Sequence, residues 1–209
     1  MKNKYLIMTL ACLIMVSCKK DGGDGRIQGH EYVDLGLSSG LKWATCNVGA
    51  KSPKEHGHYF AWGETSPKNE YAEENSLTYD VAMTDISGNA LYDAATANWG
   101  DKWRMPTEDD CNELTEACDW IFGSFHGTNG YKVVGPNGNS IFLPIAGRIE
   151  DDSHLEYAGI TGFYWSSTPD DDRIRAYGFI LDNLDSWGDG TYTDICYRYR
   201  GFSIRPVSD

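Results

Sequence analysis

The chain has 209 residues, 41% hydrophobic and 23% charged, with 31 Asp and Glu against 18 Lys and Arg, a formal net charge of −13. That balance repels phosphate backbones and anionic head groups, which argues against nucleic acid as a partner and against broad contact with a membrane surface. The length suits one globular body with a sizeable core, and no internal repeat or second shift in composition divides it.

At the start of the chain, Lys2 and Lys4 precede an apolar run from Tyr5 to Val16 that is too short to span a bilayer, so residues 1–17 read as an export signal. Met15, Val16 and Ser17 lead into Cys18 and resemble the lipobox read by lipoprotein signal peptidase, which implies lipidation at Cys18. Residues 18–29 form a tether, because Lys19-Lys20-Asp21-Gly22-Gly23-Asp24-Gly25 is too polar and glycine-rich to bury apolar surface. A lysine and acidic residues directly after the cysteine resemble the surface-export signal of Bacteroidetes lipoproteins. The expected location is therefore the outer membrane, lipid-anchored and exposed on the cell surface. Cleavage removes Lys2 and Lys4 but no acid, leaving 16 basic residues against 31 acidic and a net charge of −15. The membrane is then a partner only through the lipid on Cys18.

Residues 30–209 form the body. His30 to Leu35 and Leu41 to Cys46 read as strands around the turn Ser38-Ser39-Gly40, with a third over His58 to Trp62. Asp93 caps a short helix through Asn98, and Thr107 caps a second, with Asp110 at the capping-box position. Cys111, Leu114 and Cys118, with Ala117 and Ile121 beside them, line one apolar face of that helix. Tyr131 to Val134 and Ser140 to Leu143 flank Gly135-Pro136-Asn137-Gly138, a strong hairpin signal. Further strands fit Phe163 to Ser166, Arg175 to Leu181, Asp194 to Tyr199 and Phe202 to Arg205, which makes the class α+β with strands at both termini.

Four body cysteines remain, Cys46, Cys111, Cys118 and Cys196, and an even number outside the cytoplasm favours disulfides. Two helical turns separate Cys111 from Cys118 by roughly 10 Å, beyond disulfide reach. That leaves Cys46 with Cys118 and Cys111 with Cys196, or the swapped pairing. A metal site lacks the CxxC or close Cys/His spacing it would need.

Several segments together resemble the major paralogous domain first named from Fibrobacter succinogenes and abundant in Bacteroides lipoproteins. They are Val33-Asp34-Leu35-Gly36-Leu37 with Leu41-Lys42-Trp43-Ala44-Thr45-Cys46-Asn47-Val48-Gly49, Tyr59-Phe60-Ala61-Trp62-Gly63-Glu64, Trp99-Gly100-Asp101-Lys102-Trp103-Arg104-Met105-Pro106-Thr107, Gly138-Asn139-Ser140-Ile141-Phe142-Leu143-Pro144, Tyr164-Trp165-Ser166-Ser167 and Gly201-Phe202-Ser203-Ile204-Arg205-Pro206-Val207. The resemblance implies a C-type-lectin-like fold, shared with formylglycine-generating enzymes: paired terminal strands, a mixed or antiparallel sheet, two helices and long loops. Such a fold hosts both enzymes and binders, so function has to be argued from the site.

An enzyme is disfavoured. Formylglycine-generating enzymes use two nearby cysteines to bind copper, whereas Cys196 has no other cysteine within sixty residues. Asp151, Asp152, Asp170, Asp171 and Asp172 belong to acidic loops with no motif that fixes a two-carboxylate geometry. His30, His56, His58, His126 and His154 accompany no nucleophile motif. Aromatic residues, 13% of the chain, concentrate in the last third and suit recognition of a glycan or protein ligand. Among them, Tyr197 and Tyr199 are as compatible with core packing as with exposure. The candidate ligand-binding residues are Trp187, Tyr192, Asp185 and Asp189 in the loop 182–192, with Asp170, Asp171, Asp172 and Arg173 reaching the same face. No cofactor is expected. The loop oxygens would suit calcium, although the sugar-binding lectin motifs and a terminal EF-hand glutamate are absent. The reading is a surface-tethered, non-enzymatic binding or adhesion module. Its alternatives are a structural component of a surface assembly and a degenerate formylglycine-generating-enzyme-like protein.

Overall fold

The computed structural model describes residues 25–150, 154–182 and 190–209. The export signal, Cys18, most of the tether, Asp151, Asp152, Asp185, Trp187 and Asp189 lie outside the described residues.

The first sheet joins the two ends of the body. Strands β1 (Arg26–Ile27), β2 (His30–Asp34) and β3 (Lys42–Ala44) are followed in the sheet by the last strand of the chain, β12 (Val207–Ser208), in the order β1-β2-β3-β12. Val207 lies opposite Trp43, and both side chains are buried. The expected strand over His58–Trp62 is reduced to a single bridge between Phe60 and Phe202. The expected strand over Phe202–Arg205 likewise makes only isolated bridges, from Phe202 to Phe60 and from Ser203 to Tyr164.

Both helices start where the capping residues predict. Asp93 accepts the N–H of Thr96 at the head of α1 (Ala94–Trp99). Its buried carboxylate also takes the N–H groups of Gly88 and Met105, so one side chain joins three segments. Thr107 and Asp110 close a reciprocal capping box on α2 (Glu108–Ala117), a device worth about 1 kcal/mol.

Beyond Ala117 the chain departs from the helical reading. Asp119–Phe125 is strand β4, and Ile121 stands exposed on it instead of extending the apolar face of α2. The run Trp120-Ile121-Phe122 is rich in residues that favour strands, and it pairs along its length with β5 (Thr128–Val134), which tertiary contact rewards more than another helical turn. The predicted hairpin is present. β5 pairs with β6 (Ser140–Pro144), and Val134 faces Ser140 across the turn that contains Gly135 to Gly138. Together β4-β5-β6 form a three-stranded antiparallel sheet.

A short hairpin, β7 (Arg148–Glu150) with β8 (His154–Glu156), precedes the central sheet β11-β10-β9. Its strands are β9 (Thr161–Pro169), β10 (Arg175–Asp182) and β11 (Gly190–Tyr197). Alternate residues of β10 serve two cores. Phe179 and Leu181 join Tyr164, Cys111, Leu114 and Trp43 on one side, whereas Ala176 and Ile180 join Trp165, Trp62, Phe202 and Cys196 on the other. The molecule is thus α+β, built mainly of antiparallel ladders with two helices.

Residues from several distant segments serve this packing. Arg205, fully buried, donates to Asn47, to the Ala44 carbonyl and to the Phe142 carbonyl, which ties the C-terminal segment to the first sheet and to β6. Trp62 and Trp165 donate their indole N–H groups to the carbonyls of Ser166 and Phe60.

The four described cysteines form no disulfide. Cys46, Cys111, Cys118 and Cys196 are all free thiols, so neither Cys46–Cys118 with Cys111–Cys196 nor the swapped pairing is made. Cys111 and Cys196 belong to the apolar clusters on opposite sides of the central sheet, where they pack as small hydrophobic side chains. Burial raises the Cys118 thiol to about 11 and the Cys196 thiol to about 12.

Candidate functional site

The acidic turn and Tyr192 lie toward opposite ends of β10. In an antiparallel meander, successive connections fall at opposite ends of the middle strand. Asp170 to Arg173 precede β10 at Arg175, while the strand ends at Asp182, opposite Gly190, seven residues or roughly 23 Å away. Tyr192, 40% exposed, pairs with Ile180 and belongs to the second end. It cannot converge with Asp170, Asp171, Asp172 and Arg173 on one small ligand.

Two of the three acids of the turn, Asp170 and Asp172, already have partners. The Asp172 carboxylate accepts the N–H groups of Ile174 and Arg175 at 3.1 and 2.9 Å and is paired with the Arg175 side chain. Partial burial works to raise this carboxyl, but those donors outweigh it and hold it below the usual carboxylate range. Asp170 reaches the same Arg175 at 3.4 Å and accepts the N–H of Asp171. Arg173 is exposed at φ +65° in the tight reversal between the strands. These residues build the turn. Among the described residues, no group of three or more His, Cys, Asp and Glu side chains is arranged to hold a metal ion.

Beside that turn lies an aromatic patch assembled from distant parts of the sequence. Tyr197, at the end of β11, is 37% exposed, and its ring stacks on Tyr199 at 5.6 Å and 19°. Tyr79 meets Tyr199 edge-on at 5.8 Å. The Arg200 guanidinium lies 5.1 Å from the centre of the Tyr197 ring and pairs with Glu150 at 2.7 Å. Glu150 also takes Arg148 at 2.7 Å, which orders the base of the patch. Arg175 sits opposite Tyr197 across the β10–β11 ladder. Burial, followed by a hydrogen bond to the Glu73 carboxylate, raises the Tyr79 hydroxyl to about 12.

Arg198 explains why Tyr79 is there. It is fully buried, with its guanidinium 4.5 Å from the Trp62 ring. It donates to the carbonyls of Arg175, Thr78 and Val81 at 2.9, 3.1 and 2.9 Å. This one side chain fastens the 78–81 segment to the ends of β10 and β11. The late aromatics Tyr164, Trp165 and Phe179 lie in the core, and only the Tyr197–Tyr199 part of that group contributes to the patch. The alternation around Tyr197 left its exposure open, and nothing local marks Tyr79, some 120 residues away in the sequence, as its neighbour.

No protein-family model, no curated protein and no solved structure matches this chain. Function therefore has to be read from the patch itself.

Proposed function

We propose that this chain is an outer-membrane lipoprotein, anchored through Cys18 and displayed at the cell surface, whose body binds a glycan or protein ligand without catalysis. The observation that carries the reading is the stacked Tyr197–Tyr199 pair, with Tyr197 partly exposed and braced by Arg200, which Glu150 holds in turn. Rigid aromatic faces with a hydroxyl at the rim stack on sugar rings or pack against protein at little entropic cost. Pairing of the terminal strands, two helices and a late antiparallel sheet support a C-type-lectin-like scaffold of the kind the sequence resemblance implies. The engagement of Asp170 and Asp172 by Arg175 supports a binder that does not depend on calcium at this turn.

The test is a glycan and host-protein array probed with the full chain, with Tyr197→Ala and Trp187→Ala as separate variants, in calcium and in chelator. Removal of a central aromatic anchor should cost at least about 2 kcal/mol, roughly a 30-fold loss of affinity. Loss in Tyr197→Ala with retention in Trp187→Ala supports the patch. The reverse result returns the site to the 182–192 loop. Absence of any binding favours a structural component of a surface assembly.

A further inference from the structure

Among the described residues, nothing pairs with the outer edge of the sheet β4-β5-β6. β4 pairs with β5 on one side only, and no backbone bond from Asp119–Phe125 reaches any other described segment. Edge strands in monomers are usually blunted by lysines, proline, bulges or a covering loop. This one has seven residues in unbroken register with β5, no proline and one charged side chain, Asp119 at its end. Ile121 is 50% exposed and Phe122 40% exposed, on opposite faces of the strand. On the Ile121 face, Phe125 packs against Phe142 at 4.9 Å, so the apolar surface continues inward from the edge.

We propose that β4 pairs antiparallel with β4 of a second copy of this chain about a two-fold axis through Phe122. Charge does not stand in the way of a second copy at this edge, and the strand's own sequence supplies the fit. The body is strongly acidic, and like bodies repel, but β4 is nearly free of charge and repulsion from the rest is screened beyond about 8 Å at physiological salt. With the axis at Phe122, the strand also fits itself. Asp119 falls opposite Phe125 of the other copy, so the two acids lie at opposite ends of the ladder. Trp120 falls opposite Ser124, Ile121 opposite Gly123, and the two Phe122 rings meet as a direct cross-strand aromatic pair. A two-fold interface is self-complementary in this way, and the pairing converts two three-stranded sheets into one of six.

The register makes the idea sharp. Directly opposed residues have Cα atoms about 5 Å apart, within disulfide reach, whereas residues displaced by four positions are separated by roughly 14 Å. Cysteines placed at Phe122 and at Ser124 in the full chain, oxidised mildly in its membrane and resolved on a non-reducing gel, should therefore differ. Phe122→Cys should convert most of the chain to a disulfide dimer, and Ser124→Cys should stay at the level of the parent. Sedimentation of the purified full chain provides the second measurement: the parent should sediment as a dimer, and the double variant Ile121→Lys/Phe122→Lys as a monomer. Both positions are exposed, so the lysines should leave the fold intact. A monomeric parent, a dimer that survives the lysines, equal cross-linking at the two positions, or Phe122→Cys adducts with a chain of different mass would each overturn self-pairing, the last in favour of an extended strand from another protein.

Discussion

Replacing Arg198 by Met keeps much of the side-chain volume and removes the guanidinium, which isolates its contribution to the tyrosine patch. Three carbonyls lose their donor, those of Thr78, Val81 and Arg175. Val81 is substantially exposed, so its carbonyl can recover a bond to water. The carbonyls of Thr78 and Arg175 cannot do so as readily, at about 1–2 kcal/mol each. Loss of the Trp62 cation–π contact adds about 1 kcal/mol, and release from burying a charge returns part of the total. The expected net destabilisation is about 2–3 kcal/mol, a fall of roughly 5–10 °C in Tm for a body of this size. Urea unfolding would measure it, and amide exchange should show faster opening of residues 78–81 than of β10. The reasoning is refuted if Arg198→Met is as stable as the parent with unchanged exchange at 78–81, since the buried arginine would then hold nothing in place.

Acid titration tests the turn. Because the folded state holds Asp172 below its ordinary value, its contribution is complete above about pH 4 and is lost as pH falls through the lowered value, so the stability advantage over Asp172→Asn should shrink only on strong acidification. An advantage that instead grows as pH falls would contradict the pairing with Arg175. For the cysteines, a thiol reagent should label half-buried Cys46 first, while buried Cys111, Cys118 and Cys196 react only on unfolding. Mass spectrometry showing Cys111 joined to Cys196 in the native protein would overturn that picture. Finally, Asp93→Ala removes three N–H partners at once and should destabilise by about 3 kcal/mol in chemical denaturation. A change below 1 kcal/mol would show that those donors find other acceptors.

Much of the local structure could be read from adjacent residues, because caps and tight turns are decided by groups a few positions apart. Asp93 and Thr107 start their helices, and Gly135 to Gly138 turns the hairpin as its composition predicts. Ile121 was misleading because its spacing from Leu114 and Cys118 suits a helix, while the gain that overrides it comes from pairing with β5. The even cysteine number was misleading in a similar way, since it carries no information about which side of the central sheet each thiol enters.

The acidic balance, the α+β class and the aromatic wealth of the last third were determined by the sequence alone, since composition and local periodicity suffice for each. Only the tertiary structure decided which aromatics face solvent and which charged groups remain uncommitted. The antiparallel course of β9, β10 and β11 sets Tyr192 and the acidic turn toward opposite ends of β10, and a buried Arg198 carries Tyr79 to a tyrosine pair more than a hundred residues away. The physical reason is that such contacts depend on strand direction and on the closure of long loops, neither of which leaves a trace in neighbouring residues.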